Sequence, residues 1–203
     1  MDKSVHVLGW RSVRIGRNCV IGNGTTFNVN NGQGRERIVI GDFSYVGSFN
    51  FFSNGGLIQL GDYCLLGPGC RFLGANHIYS DPLRPYISTG VTDHGQILLG
   101  TNCWLGTDVT ILGSVTVGHG SVLGAGSLVT RDVPPFSLAL GNPARIVKRY
   151  DIASKEWVPA ANFTPEMEAM LPDEESYRAV LRANCPTIAM PYAAAGPSRG
   201  HLA

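Results

Sequence analysis

Hydrophobic residues recur every six positions through most of the chain, and a glycine directly follows many of them. The recurrence forms five blocks of three hexads, with the repeating residues Ile15, Ile21 and Phe27; Ile40, Val46 and Phe52; Leu60, Leu66 and Phe72; Leu99, Leu105 and Ile111; and Val117, Leu123 and Val129. This spacing matches neither the period of an α-helix nor the alternation of an ordinary strand. It is typical of a solenoid, in which successive turns of the chain stack on one another.

Breaks in the six-residue phase show how the hexads group. Positions 33, 58 and 78 would continue the phase, but the next residues of the series are Ile40, Leu60 and Leu99, whereas the fifth block follows the fourth directly. Each break comes after a third hexad, so three hexads form one coil. We expect a mainly β chain with about five coils in a triangular parallel β-solenoid, whose strands lie about 4.8 Å apart. Insertions leave from one corner, including a long loop at about 78–98.

A second set of positions, four residues after the hydrophobic ones, holds mostly small side chains. Its members are Cys19, Thr25, Ser44, Asn50, Cys64, Cys70, Cys103, Val109, Val115, Ser121, Ser127 and Val133. Only small side chains fit there, because the interior of a narrow prism is densely packed. Four of the five cysteines belong to this set, so we expect them to be buried structural residues rather than nucleophiles.

The regular pattern ends near residue 133, and the remaining chain has a different character. Residues 143–150 are expected to leave the prism as an extended segment. Helix-start signals then predict a helix at 164–171, with Thr164 as its cap, and a second helix at about 172–184 with an acidic first turn. These helices would cover the open end of the solenoid or an interface.

These boundaries divide the chain into two parts. Residues 1–150 form the predicted β-helix domain, and residues 151–203 form a C-terminal helical extension. The last residues, 186–203, are rich in proline, alanine and glycine and are expected to be a flexible tail.

Composition excludes several classes of function. Glycine accounts for 26 of 203 residues, charged residues make up 15%, and the formal net charge is +1. A nucleic-acid-binding protein would carry a basic excess, so no nucleic-acid partner is expected. No apolar run approaches the length of a transmembrane helix, and the N-terminus has no signal-peptide stretch.

The cysteine and histidine content restricts the chemistry further. The five cysteines are an odd number and lack metal-type spacing, so we expect free thiols in a reducing cytoplasm. Five scattered histidines without a close pair argue against a zinc site, and no metal is expected. The sequence contains neither a P-loop nor the glycine-flanked serine of an α/β-hydrolase.

Three groups of residues carry a family resemblance. They are Gly74-Ala75-Asn76-His77, Asn102-Cys103-Trp104-Leu105-Gly106, and a discontinuous third group, Gly124-Ala125-Gly126-Ser127 with Thr130-Arg131-Asp132-Val133-Pro134-Pro135 and Gly141-Asn142-Pro143-Ala144-Arg145. Residues 13–150 resemble the left-handed parallel β-helix acyltransferases of the hexapeptide-repeat superfamily, in the branch of xenobiotic, galactoside, maltose and nodulation-type O-acetyltransferases. The resemblance implies a left-handed coil, acetyl-CoA as donor, and a homotrimer with active sites at subunit interfaces.

His77 is the candidate catalytic residue. It lies where the third coil gives way to the long insertion, so its side chain can face a cleft walled by that loop. Acyl transfer from a thioester to a hydroxyl needs a base, and imidazole titrates near working pH. In the resembled family the matching histidine is the general base. Asp81, Asp93 or a main-chain carbonyl would orient it.

The resemblance also implies a coenzyme-binding site. The corresponding positions of this chain are Trp104, Gly106, Thr107, Gly124, Ala125, Thr130, Arg145 and Lys148. Thr107 and Ala125 would line the pantetheine arm. Thr130, Arg145 and Lys148 would hold the nucleotide end, where a hydroxyl and two cations suit phosphates. Trp104 would wall the active site or pack in an interface.

Three further residues are candidate contacts for the acceptor. Asn50 and Asn54 lie in a polar and aromatic stretch, and they would meet acceptor hydroxyls or form hydrogen bonds within the solenoid corners. His94 lies in the long insertion, where it would shape the acceptor site or be a solvated loop residue.

The leading hypothesis is an acetyl-CoA-dependent O-acetyltransferase that acts on a sugar, polysaccharide precursor or glycolipid precursor. The acceptor hydroxyl would attack the thioester directly, with His77 as general base and no metal. An antibiotic hydroxyl or the amine of an amino sugar is the alternative acceptor. A non-catalytic scaffold is the alternative class, because a solenoid fold alone proves no chemistry.

Overall fold

The computed structural model describes residues 4–29, 36–92, 95–185 and 187–188. Most of these residues form short strands in parallel sheets, and α-helices occur only in the C-terminal part of the described chain. The prediction of a mainly β protein is therefore confirmed.

The repeats contribute short strands at regular intervals. Before the first block come β1 (His6–Leu8) and a 3₁₀-helix (Trp10–Ser12). The first three blocks give β2 (Val13–Ile15), β3 (Val20–Ile21), β4 (Thr26–Asn28), β5 (Ile38–Ile40), β6 (Tyr45–Val46), β7 (Phe51–Ser53), β8 (Ile58–Leu60), β9 (Leu65–Leu66) and β10 (Arg71–Leu73). The insertion contains β11 (Asn76–His77), a 3₁₀-helix (Tyr86–Ser88) and β12 (Val91–Thr92). The last two blocks give β13 (Ile97–Leu99), β14 (Trp104–Leu105), β15 (Thr110–Leu112), β16 (Val115–Val117), β17 (Val122–Leu123) and β18 (Leu128–Val129).

The chain then leaves the repeats. The remaining elements are β19 (Ser137–Gly141), β20 (Ala144–Asp151), β21 (Glu156–Pro159), a 3₁₀-helix (Ala160–Asn162), α1 (Pro165–Ala169) and α2 (Glu174–Asn184). No helix of the described ranges is long and apolar enough to cross a membrane.

Three sheets run along the repeats. Sheet A contains β1, β4, β7, β10, β15 and β18; sheet B contains β2, β5, β8, β13 and β16; and sheet C contains β3, β6, β9, β14, β17 and β19, followed by β20 and β21. Each repeat therefore passes through sheet B, then sheet C, then sheet A. Neighbouring strands within a sheet come from successive repeats and are parallel, except that β20 pairs antiparallel with β19 and with β21.

The six-residue phase of the sequence is also the register of the sheets. In sheet A, Phe27 pairs with Phe52, Phe52 with Phe72, and Phe72 with Ile111. The equivalent positions of sheets B and C pair in the same way. All of these hexad residues are buried except Ile15, which is half-buried. The period therefore predicted both the strands and their pairing.

Aromatic rings stack along the inner face of sheet A. The ring centroids of Phe27 and Phe52 are 4.9 Å apart, and those of Phe52 and Phe72 are 4.5 Å apart. These distances follow the spacing of neighbouring strands. All three side chains are fully buried, and burial of one such side chain contributes about 1.5–3 kcal/mol to stability.

Glycines allow the connections between sheets to stack closely. A Cβ added to Gly41 would lie 2.4 Å from the carbonyl carbon of Gly61 in the next repeat. That distance is far below van der Waals contact, so the backbone of the corner would have to move. Glycine after the hexad residue is therefore a packing requirement at this corner.

The small-residue positions are buried, as expected. Every member of the set is buried except the half-buried Cys19. The Cys70 thiol donates to the Gly106 carbonyl at 3.2 Å, and burial raises its pKa to about 11. A hydrogen bond with the Cys64 thiol, together with burial, raises the pKa of Cys103 well above its ordinary value. These thiols stay protonated at neutral pH, which suits a structural role.

The long insertion leaves after β10 and returns to sheet B at β13. Its two arms pair as an antiparallel ladder, in which His77 pairs with Val91. The loop predicted at about 78–98 extends too far, because Ile97 already pairs with Ile58 in sheet B.

The segment 143–150 is extended, as expected, but it does not leave the solenoid. It lies in β20, which turns back and continues sheet C beside β19. Because β20 ends at Asp151 and pairs with β21, the predicted boundary at residue 150 falls inside a strand. The C-terminal extension therefore begins as sheet rather than as helix.

The two predicted helices are present at their start signals. The Thr164 hydroxyl caps α1 by accepting the Met167 N–H at 3.3 Å. The Asp173 carboxylate caps α2 by accepting the Ser176 N–H at 2.8 Å.

Helix α2 lies along the connections between sheets B and C rather than over an open end. Just before α2, the Pro172 carbonyl lies 2.9 Å from the Nε2 atom of His119 in the fifth repeat. Towards the other end of α2, Arg182 pairs with Asp62 of the third repeat at 3.0 Å. The helix therefore spans three repeats along this side of the protein.

Candidate active site

His77 ends β11, directly after the chain leaves sheet A for the long insertion. Its backbone pairs with that of Val91, so the two arms of the insertion fix its position. The side chain is exposed, and none of the described residues hydrogen-bonds to its ring. An exposed imidazole held in this way can accept a proton from a ligand hydroxyl.

Asp81, one of the two carboxylates expected to orient His77, forms no hydrogen bond to its ring. The Asp81 carboxylate is engaged in a turn, where it accepts the Leu83 N–H at 3.0 Å. Asp93 lies outside the described residues, as does His94, the candidate acceptor contact. Among the described residues, the backbone ladder with Val91 is what holds His77 in position.

The expected pantetheine positions form a column along the connections between sheets C and A. Thr107 and Ala125 are both exposed and occupy the same position in successive repeats. The glycines that precede them pack tightly: a Cβ on Gly106 would lie 2.7 Å from the Ala125 nitrogen, and one on Gly124 would lie 2.8 Å from the Leu140 side chain. The stacking of the repeats therefore requires these glycines, and the exposed Thr107 and Ala125 stay the positions expected to line an extended ligand arm.

A bulge brings Arg145 and Lys148 to one face of β20. Residues three apart on a regular strand point to opposite faces. Here the register between β19 and β20 shifts between Leu138 and Ala139, so that Arg145 pairs with Leu140 and Lys148 pairs with Leu138. Because residues 138 and 140 share a face, both cations project together, and both are exposed.

Thr130 and Arg145 line the same small cavity, whose volume is about 140 Å³. Asp132 also lines it, but its carboxylate accepts the Thr116 N–H at 2.7 Å. Neither Arg145 nor Lys148 forms an ion pair with any described residue. A cation beside a hydroxyl is suited to phosphate groups. The structure thus brings Thr130 and Arg145 together at one cavity, and it places Lys148 on the same face of β20 as Arg145 but not in the lining of that cavity.

Trp104 lies on the outer surface of sheet C. It pairs with Leu65 on one side and Val122 on the other, and 52% of its surface is exposed. His77, in contrast, follows sheet A at the start of the insertion. A single chain therefore places His77, the candidate base, and Trp104, the candidate wall of the active site, on different sheets. It does not bring the two residues together.

Asn50 and Asn54 are interior residues: of the two roles expected for them, hydrogen bonds within the solenoid corners are confirmed, and the role as acceptor contacts is corrected. The Asn50 amide donates to the carbonyls of Gly47 and Gly67 at 2.7 and 3.1 Å, and the Asn54 amide donates to the Gly56 carbonyl at 3.0 Å. Both side chains are completely buried. The signal was present in the sequence, because Asn50 belongs to the small-residue set of the interior.

The other described histidines form no comparable site. His119 is buried, with its ring against those of Phe136 and Tyr177, and His6 lies in β1. Within the described ranges, no three His, Cys, Asp or Glu side chains are grouped as a metal ion would require.

Comparisons with known proteins identify the repeats. The family "Bacterial transferase hexapeptide (six repeats)" matches residues 97–131, and "Hexapeptide repeat of succinyl-transferase" matches residues 4–27. A putative acetyltransferase of Staphylococcus aureus is 44% identical over 115 residues, which make up 56% of this chain and 56% of that protein. The match thus spans little more than half the length of that relative.

Solved structures extend the similarity beyond single repeats. A hexapeptide-repeat acetyltransferase from Vibrio cholerae, in complex with acetyl-CoA, is 30% identical with a TM-score of 0.59, and the match covers 67% of this chain and 70% of that one. A maltose O-acetyltransferase from Clostridium difficile is 27% identical with a TM-score of 0.53, covering 72% and 71%. The sheets and their six-residue register define a hexapeptide-repeat protein. The chain belongs to the family of hexapeptide-repeat acetyltransferases.

Proposed function

We propose that this protein is an acetyl-CoA-dependent O-acetyltransferase that acts on a hydroxyl of a sugar, polysaccharide precursor or glycolipid precursor. The observation that carries the proposal is the pair of available cations, Arg145 and Lys148, which the bulge of β20 places on one face. With Thr130 beside them, they suit the phosphates of coenzyme A. The Vibrio cholerae relative, which was crystallised with acetyl-CoA, supports this choice of donor.

His77 is the proposed general base. Its neutral imidazole would take the proton of the acceptor hydroxyl while the hydroxyl oxygen attacks the thioester carbonyl. The new ester C–O bond forms, the C–S bond breaks, and coenzyme A leaves as a thiol that takes up the proton. No covalent acyl-enzyme and no metal are needed, because the thioester is already activated.

The donor would lie along the connections between sheets C and A. With its phosphates at the cations of β20, the pantetheine arm would pass Ala125 and then Thr107, one repeat further on. The thioester would then lie near Trp104. This direction follows from the order of these exposed positions along the repeats.

The complete site is proposed to form between subunits of a homotrimer. His77 follows sheet A, whereas Trp104 lies on sheet C, so one chain presents them separately. Copies related by a threefold axis would bring the base of one chain against the donor column of the next. In the proposed assembly, the three sheets of each subunit close into a left-handed triangular solenoid of about five coils.

The proposed acceptor group is a sugar hydroxyl. The maltose O-acetyltransferase among the relatives supports this class. An antibiotic hydroxyl, or an amine in N-acetylation, would use the same base and donor. Incubation with radiolabelled acetyl-CoA and matched hydroxyl and amine forms of one sugar distinguishes O- from N-transfer.

The proposed location is the cytoplasm. All five cysteines are free, and free thiols persist in a reducing compartment. The exposed thiol of Cys185 would be open to oxidation elsewhere.

Calorimetry with acetyl-CoA tests the proposal without any assumption about the acceptor. We expect micromolar binding of acetyl-CoA and CoA, and weaker binding of 3′-dephospho-CoA because it lacks one phosphate. The absence of binding at millimolar coenzyme would reject the proposed activity and favour a scaffold.

A further inference from the structure

The antiparallel ladder that holds His77 is very short. It pairs only Asn76 with Thr92 and His77 with Val91, so each arm of the insertion contributes two residues. An isolated pair of strands is at best marginally stable in water, even when the strands are longer than these. Further contacts between the two arms are therefore needed to keep His77 in one position.

The Thr92 side chain supplies such a contact, to the residue before His77. Its hydroxyl accepts the Asn76 N–H at 3.3 Å and donates to the Asn76 carbonyl at 3.2 Å. One hydroxyl thus engages both backbone polar groups of Asn76. A rotation of the backbone at Asn76 would break at least one of these bonds, so the hydroxyl fixes the direction in which the chain enters His77.

The Thr89 side chain supplies a second contact, to the residue after His77. Its hydroxyl donates to the Ile78 carbonyl at 2.5 Å, and it also lies 2.8 Å from the Tyr86 carbonyl. The Ile78 N–H donates to the Gly90 carbonyl at 3.2 Å. Both backbone polar groups of Ile78 are therefore bonded to the returning arm of the insertion.

The two threonines therefore hold the backbone on both sides of His77. Both are half-buried, whereas the His77 side chain is exposed. Neither hydroxyl is bonded to the imidazole ring, so an effect on the ring has to pass through the backbone. The backbone conformation decides which side-chain rotamers are allowed. Geometry of this kind matters for catalysis, because a misplacement of about 1 Å can lower a rate by about 10²-fold.

This arrangement depends on the hydroxyl groups rather than on the shape of the side chains. Valine is branched at Cβ like threonine but has no hydroxyl to offer to Asn76 or Ile78. Because Asn76 and Ile78 are exposed, water can bond the backbone groups that a valine would release. Loss of a hydroxyl is therefore expected to change the position of His77 more than the stability of the fold.

We propose that Thr89 and Thr92 are positioning residues for His77. Their hydroxyls hold the residues on either side of it, so that the imidazole stays aligned with the acceptor hydroxyl. The inference rests on the proposed function, in which His77 is the general base.

Hydrolysis of acetyl-CoA by water, followed by release of the CoA thiol, tests the proposal without any assumption about the acceptor. Thr89→Val and Thr92→Val are each expected to lower kcat by roughly tenfold or more and to leave the KM for acetyl-CoA unchanged. The serine variants at both positions keep the hydroxyl and should restore most of the rate. The control is Ser88→Ala, which removes a hydroxyl bonded to the Pro85 carbonyl at 2.8 Å in the same loop. Its rate should stay unchanged.

A double variant separates positioning from a general structural role. In the His77→Ala background, Thr92→Val should not lower the residual rate further, because no base is left to position. Hydrogen exchange of the backbone amides at 76–78 should become faster in Thr92→Val, and circular dichroism should show an unchanged fold.

The outcomes that contradict the proposal are distinct. Normal turnover in both valine variants would overturn it, and so would an equal loss with and without His77, because both threonines would then be purely structural. These two results would leave the proposed function intact. Hydrolysis at the same rate in the native protein and in His77→Ala would instead reject the proposed base, and the positioning role with it.

Discussion

Glu174 accepts two hydrogen bonds from Thr101, one from its backbone N–H at 2.7 Å and one from its hydroxyl at 2.9 Å. One turn later in α2, the Arg178 side chain lies 3.7 Å from the Asp62 carboxylate, which belongs to the neighbouring third repeat, whereas Thr101 belongs to the fourth. A helical turn of about 5.4 Å is close to the strand spacing of about 4.8 Å. Successive turns of α2 can therefore contact successive repeats.

Replacing Glu174 by Ala should loosen α2. The Thr101 N–H, which is fully buried, would lose its acceptor, at a cost of about 1–3 kcal/mol. Hydrogen exchange of the α2 backbone amides should therefore be faster in Glu174→Ala. The control is Glu175→Ala, at an exposed neighbouring residue, which should leave the exchange rates unchanged. Equal protection of α2 in both variants would contradict this role.

Replacing His77 by Ala should remove most turnover and leave acetyl-CoA binding intact. Loss of a general base lowers the rate by about 10²–10⁴-fold. Steady-state kinetics and calorimetry measure the two quantities. Tyr79→Ala, an exposed position in the same insertion, is the control. Acetylation that persists in His77→Ala would exclude this residue as the base.

Arg145→Gln and Lys148→Gln should each weaken CoA binding by about 10-fold or more, because hydrogen bonds to charged groups contribute about 1.5–3 kcal/mol. Lys155→Gln, in the turn between β20 and β21, should not change the affinity. Calorimetry with CoA and 3′-dephospho-CoA shows which cation meets the 3′-phosphate. Unchanged affinity in both variants would place the nucleotide elsewhere.

Replacing Gly41 by Ala should destabilise the fold strongly, since its Cβ would lie 2.4 Å from the backbone of the next repeat. Gly113→Ala is the comparison, because that glycine has a φ of +88° but no atom within 4 Å of an added Cβ. Backbone strain alone costs about 1–3 kcal/mol. Urea denaturation should give a larger loss for Gly41→Ala, and equal losses would refute the packing argument.

Asp42 should contribute to stability at neutral pH but not in strong acid. Hydrogen bonds from the Arg17 side chain hold the pKa of Asp42 below its ordinary value of 3.8. The unfolded chain therefore binds this proton more tightly, and the contribution is complete above about pH 4 and lost as pH falls through the lowered pKa. Urea midpoints of the native protein and Asp42→Asn should differ by a modest amount at pH 7, because Arg17 is exposed. They should converge in strong acid, and a difference that persisted there would contradict the linkage.

The sequence predicted the repeats well because their geometry is local and periodic. Once Phe27, Phe52 and Phe72 share a phase, the pairing of their strands follows, since each repeat can contact only its neighbours. The positions of the insertions follow from the breaks in the same six-residue phase. No comparable rule governs β20 and β21, so the return of the chain into sheet C was missed.

The site was less predictable because it depends on relationships between distant segments. The sequence identified Arg145 and Lys148, but only the bulge opposite Leu138 explains how they share a face. The cavity between sheet C and α2, which Tyr45, Leu65 and Leu181 line, was missed entirely, because Leu181 lies more than a hundred residues from the other two in the sequence. The sequence left two roles open for Asn50, and the interior one was correct, because Asn50 belongs to the small-residue set of the solenoid interior.

Every insertion between repeats leaves from the same edge, between sheet A and sheet B, while the pairs before and after it keep their register. Ile58 pairs with Ile97 although 38 residues intervene, whereas β15 passes to β16 almost directly. The connections at this edge can therefore differ in length without changing the pairing of the strands. New loops could be inserted there, so that the segment carrying His77 can vary in sequence and length while the stacked strands that support it stay the same.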